Sequence, residues 1–113
     1  MKKAKPKNAE RGTLAQLLCL IEACAAARRW ARGKTLEQAW KECDNADWMQ
    51  TLISTLTPCF NPDCADCNDL AEACGGKFPF SHKQGEIANG LDDAAAIRKR
   101  VRLPKVLIEK FGA

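Results

Sequence analysis

Helix-start signatures in the first half of the chain decide its fold class. Thr13 is followed three residues later by Gln16, and Thr35 by Gln38. In that pattern the two side chains satisfy each other's backbone N–H at the first turn of a helix. After Thr13, the residues Leu14, Leu17, Leu18, Ile21, Cys24 and Ala25 recur at the spacing of one helical face. Ala23, Ala26, Ala27 and Trp30 widen that face, so the pattern predicts one central helix running to Gly33. Leu36, Ala39, Trp40 and Cys43 predict the inner face of a second helix, with Glu37 and Lys41 paired outside it. Asp44 or Asn45 starts a third, which turns Trp48, Met49, Leu52, Ile53 and Leu56 inward and stops at Thr57-Pro58.

Beyond Pro58 the grammar changes. Residues 59–90 are rich in Cys, Asn, Asp, Gly and Pro, and predict loops around one short helix near Asn68–Cys74. Gly75-Gly76, Pro79, Gly85 and Asn89-Gly90 are the expected breaks. Asp92-Asp93 then open a helix with Ala94, Ile97 and Val101 inside. Pro104 opens the last one from its first helical position, with Leu107, Ile108 and Phe111 on the buried side. No alternating strand pattern interrupts this series. The expectation is an all-α fold: a small helical bundle with a Cys-rich, loop-dominated insertion. Residues 1–12 read as a flexible basic tail and 13–113 as a single helical domain whose Cys-rich segment is 59–90. Its core should contain Leu17, Ile21, Trp40, Trp48, Leu52, Ile53 and Ile97.

Charge is concentrated rather than spread. The net charge of +4 is matched by residues 1–11 alone, where Lys2, Lys3, Lys5, Lys7 and Arg11 face only Glu10. The remaining chain has 13 basic and 13 acidic side chains and is neutral. An acidic stretch from Glu42 to Glu72 precedes a second basic cluster of Arg98, Lys99, Arg100, Arg102 and Lys105. The acidic stretch reads as a contact surface that could meet a basic partner or mimic nucleic acid. The two basic groups, Lys2, Lys3, Lys5 and Lys7 with Arg98, Lys99, Arg100 and Arg102, read first as a solvated tail and a solvated helix face, and are also compatible with nucleic-acid contacts.

Gln16 and Glu22 interrupt the Leu14–Ala27 stretch, and Arg28, Arg29 and Arg32 follow it. That excludes an export signal or membrane span there. The expected compartment is the cytoplasm, with no membrane partner. Seven cysteines then read as thiols or metal ligands before disulfides. Cys59, Cys64, Cys67 and Cys74 give C-x(4)-C-x(2)-C-x(6)-C, followed by the only histidine, His82. Cys59, Cys64, Cys67 and His82 form a tetrahedral Cys₃His set for one structural zinc, with Cys74 as the alternative fourth ligand. If the short helix forms, Cys67 and Cys74 stand about 10 Å apart along it, which favours His82. Free thiols, a disulfide and an iron–sulfur centre remain the competing readings of these cysteines.

One motif has a wider resemblance. Trp30, Gly33-Lys34-Thr35-Leu36, Ala39-Trp40, Cys43 and Asp47-Trp48 resemble a pattern in small uncharacterised helical proteins of phages and prophages. Ala95-Ala96-Ile97-Arg98, Val101 and Leu103-Pro104 are similar to the closing segment of the same group. Ala46 stands where that group has Gly. The resemblance implies a helical fold and a mobile-element origin, and it implies no activity. Read physically, Trp40, Cys43 and Trp48 are core residues at a helix corner.

Catalysis finds no foothold in these residues. Cys64-Ala65-Asp66-Cys67 lacks the βαβ setting of a redox pair, and no Gly-rich phosphate loop is present. The expected role is therefore non-enzymatic, and the resemblance to phage proteins implies an accessory protein that binds a host protein, such as a component of host defence. Nucleic-acid binding is the alternative.

Overall fold

Thr13 and Gln16 close a full capping box: Gln16 N–H donates to the Thr13 hydroxyl at 3.3 Å, and Thr13 N–H donates to Gln16 Oε1 at 2.8 Å. From it rises α1 (Leu14–Leu20), in a computed structural model that describes residues 12–58 and 65–112. Seven further helices follow among the described residues. They are α2 (Ala25–Ala31), α3 (Leu36–Glu42), α4 (Ala46–Thr55), α5 (Ala65–Ala73), α6 (His82–Asn89), α7 (Ala94–Arg100) and α8 (Lys105–Phe111). No strand occurs among those residues, and the fold is all-α.

The predicted long first helix is two helices. Its apolar pattern carries no Gly or Pro at the break, yet the chain turns at Glu22, whose φ of 56° is left-handed. Glu22 N–H donates to the Cys19 carbonyl and Ala23 N–H to the Leu18 carbonyl, at 3.0 and 2.8 Å. These two bonds satisfy carbonyls that the helix end would orphan, the Schellman arrangement normally completed by glycine. The same pair of bonds ends α5, where Gly75 and Gly76 occupy the positive-φ positions. As a result Cys24 and Ala25, expected inside, are exposed. A left-handed non-glycine residue costs roughly 1 kcal/mol or more. Glu22→Gly should therefore raise stability by about 0.5–1 kcal/mol, read as a higher urea midpoint at unchanged slope. A lowered midpoint would show that Glu22 does not hold the turn.

The remaining caps use the expected residues with two adjustments. Thr35 accepts from Gln38 N–H, but the Gln38 side chain bonds Glu42 instead of returning to Thr35. The ion pair among the described residues is Lys34–Glu42 at 2.9 Å, in place of the predicted Glu37–Lys41 pair. Asn45 caps α4 through Trp48 N–H at 3.2 Å. Pro104 is the N-cap of α8 and not its first helical residue.

The stretch expected to loop out of the bundle is partly built into it. Ser81 and Gln84 form a second capping box, and α6 runs through Gly85. Glycine fits there because a Cβ would stand 3.1 Å from the Thr57 hydroxyl at the end of α4. Phe80 and Cys74 are fully buried, and Phe80 N–H donates to the Leu56 carbonyl at 3.3 Å. α4 packs along α6 and α7, while α8 closes against α1 and α3. Leu17, Leu36, Ile53, Leu56, Ile97, Val101 and Leu107 complete the fully buried centre. Leu17, Ile21, Leu52, Ile53 and Ile97 are buried as predicted. Trp40 and Trp48 are not: both are half-buried at its edge. No helix among the described residues is long and apolar enough to cross a membrane.

Candidate functional site: a three-tryptophan cleft

The motif from Trp30 to Trp48 is a helix–turn–helix–cap–helix unit. α2 ends in a type II turn in which Lys34 N–H donates to the Ala31 carbonyl at 3.0 Å and Gly33 has φ 82°. α3 follows, then the Asn45 cap, then α4. Leu36, Ala39 and Cys43 on α3 and Met49, Leu52 and Ile53 on α4 go into the core. Trp30, Trp40 and Trp48 are left half-buried.

These three rings wall a cleft of about 310 Å³, bounded by α1 to α4. Leu14, Leu18 and Ile21 of α1 form its other side, and its lining is almost wholly apolar. Trp30 and Trp48 sit with ring centroids 5.7 Å apart at 52°, within the range of favourable tilted aromatic pairs. Lys34 Nζ lies 5.0 Å from the Trp30 centroid while it also pairs with Glu42. This cation–π contact orients the ring at the mouth. The Lys34 ammonium and then the Gln38 amide hold the Glu42 carboxyl below the ordinary carboxylate range. The cleft exists because Glu22 breaks the first helix, so that Ile21, Glu22, Ala23 and Cys24 bend round one end of it.

The cysteines divide by environment. Cys43 and Cys74 are buried, and burial pushes both thiols above their usual value of 9.0. Cys74 acts as a small apolar side chain, and the Cys43 thiol also donates to the Asn45 carbonyl at 3.4 Å. Cys19 and Cys24 are exposed. The sign of the resulting pH dependence follows directly. Above pH 9 the unfolded thiols ionise while the buried ones stay protonated, so stability is full below that pH and falls above it. The thermal midpoint should drop between pH 8 and pH 10 by more in the wild type than in Cys43→Ala/Cys74→Ala. Equal drops would place those thiols in solvent.

The expected zinc ligands are only partly described. Cys59 and Cys64 lie outside the described residues, and so does the Cys67 side chain, though its backbone belongs to α5. His82 is the first residue of α6 and half-buried. Cys74 follows the unbroken α5 directly into the core. No group of three or more potential metal ligands occurs among the described residues.

The basic residues also separate. Lys2, Lys3, Lys5 and Lys7 lie outside the described residues, and Lys99, Arg100 and Arg102 are exposed. Arg98 is half-buried, and its guanidinium donates to the Cys43 carbonyl and, at 3.3 Å, to the Trp40 carbonyl. It closes the C-terminal end of α3, where a cation also meets the negative end of the helix dipole. Arg98, one of the predicted nucleic-acid residues, thus ties α7 to the end of α3. Of the acidic stretch, Asp44, Asp47, Asp69 and Glu72 are exposed.

Reading the sequence alone misses the cleft. The available signal was the placement of every tryptophan of a Tyr-free chain within nineteen positions, Trp30 to Trp48. No protein-family model, curated protein or solved structure matches this chain.

Proposed function

We propose that this chain is a non-catalytic protein-binding module that takes an apolar side chain of a partner into the three-tryptophan cleft. One observation carries the reading: the three largest side chains wall an open apolar recess while smaller apolar residues, Phe80 the largest of them, fill the core. Tryptophan is the residue most enriched at the energetic centres of protein interfaces. A contiguous exposed apolar surface on a small protein usually marks a contact site. The Lys34–Glu42 pair beside Trp30 supplies the polar rim such a site needs. The resemblance to small phage proteins supports a partner from a host cell, and with it cytoplasmic residence.

The test is paired capture from host lysate with the wild type and Trp30→Ala. Trp30 is half-buried near the mouth, so its loss costs the fold only about 1–2 kcal/mol and leaves a folded protein. A partner retained by the wild type should be lost by the variant, at unchanged far-UV dichroism. Capture of the same partner in equal amount by both proteins would remove the cleft from the interface.

Structural zinc through Cys59, Cys64, Cys67 and His82 is a separate proposal, resting on ligand spacing. Metal analysis of protein purified without an imidazole column should give about one zinc per chain. A value near zero, with Cys59, Cys64 and Cys67 titrating freely, would dismiss it.

A further inference from the structure

A second recess, of about 680 Å³, opens where α1 and α2 run side by side. Arg28, Arg29, Arg32 and Lys34 line it together with Thr13 and Thr35. Among the described residues no acidic and no aromatic side chain lines it. Arg28, Arg29 and Arg32 are exposed and make no ion pair among the described residues, whereas Lys34 is held by Glu42. The groove is a product of the Glu22 turn. Reversing the chain there brings Arg28 back to within 4.0 Å of the Cys19 sulfur on α1.

We propose that this groove binds the phosphate backbone of duplex nucleic acid through Arg28, Arg29 and Arg32. Three guanidiniums with no carboxylate partner among the described residues present a local positive field, and the planar fork of each matches phosphate oxygens. Single strands are gripped by aromatic stacking platforms, and the described lining of this groove has none. Acidic protein partners are anchored by aromatic or aliphatic pockets, and the uncharged lining here is small: Ala15, Ala25, Ala31 and Gly33. The chain meets the groove at Thr13, directly after a segment with five basic residues and one acid. The contacts are to phosphates, so binding is independent of base sequence. The groove shares Ala31 with the apolar cleft and Lys34 with its rim, but Arg28, Arg29 and Arg32 line only the groove, so either proposal can fail without the other.

The experiment is fluorescence anisotropy with a labelled duplex of about 20 base pairs, between about 50 and about 200 mM salt. Each neutralised phosphate contributes about 0.9 to the salt slope, so three contacts predict at least about a 40-fold loss of affinity over that range. Arg29→Ala/Arg32→Ala should bind more weakly, with a slope shallower by about 1.8, and Arg29→Gln/Arg32→Gln should do the same. Both side chains are exposed and unbonded among the described residues, so far-UV dichroism should stay that of the wild type. Arg100→Ala/Arg102→Ala should keep the slope. Absence of duplex binding at low salt overturns the proposal. So does a slope lost in the Arg100/Arg102 variant and kept in the Arg29/Arg32 variants. Tighter binding of a poly-glutamate chain than of the duplex would assign the groove to an acidic protein and overturn it equally.

Discussion

Replacing Phe80 with alanine should cost about 3–5 kcal/mol, the penalty for deleting a buried aromatic and leaving a cavity. Phe80 is 1% exposed and is the largest fully buried side chain. It belongs to a stretch whose composition reads as loop, yet its N–H bonds Leu56 and its ring sits in the common core. A domain of this size is stable by about 5–15 kcal/mol, so the change consumes a large part of that margin. At about 4–8 °C per kcal/mol, the thermal midpoint should fall by well over 10 °C, in one transition. A small shift, or loss of a separate low-temperature transition with the main one intact, would restore the picture of an appended Cys-rich lobe.

Arg98→Ala should cost about 2–3 kcal/mol. Hydrogen bonds from a charged donor are each worth about 1.5–3 kcal/mol, and removing the guanidinium strips the carbonyls of Trp40 and Cys43 at a part-buried helix end. Arg98→Lys should recover only part of the loss, because an ammonium lacks the fork that reaches both carbonyls. Urea unfolding measures both. A midpoint within error of the wild type for Arg98→Ala would return Arg98 to the solvent-facing basic cluster.

The helices that begin with a capping residue were legible in the sequence because the signal is local. Thr13, Thr35 and Asn45 each bond the backbone three residues on, and nothing distant alters that. Ser81 carries the same signal with Gln84, but Gly85 obscured it. That glycine suits the helix only because Thr57 lies against it, a contact between residues 28 positions apart. The break at Glu22 was illegible for the opposite reason. The apolar period continues through it, and the turn is bought by packing around a residue that locally prefers helix. Both candidate sites depend on that turn, so neither was visible. Tryptophan at helical spacing reads as core, and only the positions of α1 and α2 leave Trp30, Trp40 and Trp48 at an open edge. Arg28, Arg29 and Arg32 read as the polar end of a long helix until α1 is set beside them.

The central claim is that partner binding fills the three-tryptophan cleft, and every tryptophan of the chain lies at that cleft. Acrylamide quenching of intrinsic fluorescence therefore reports on this site alone, provided the captured partner is produced with its own tryptophans replaced by phenylalanine. Free protein should be quenched, because all three rings are only partly buried. At saturating partner the quenching should fall sharply, and Trp30→Ala should weaken binding at least tenfold, about 1.4 kcal/mol. Tight binding that leaves quenching unchanged would contradict the account.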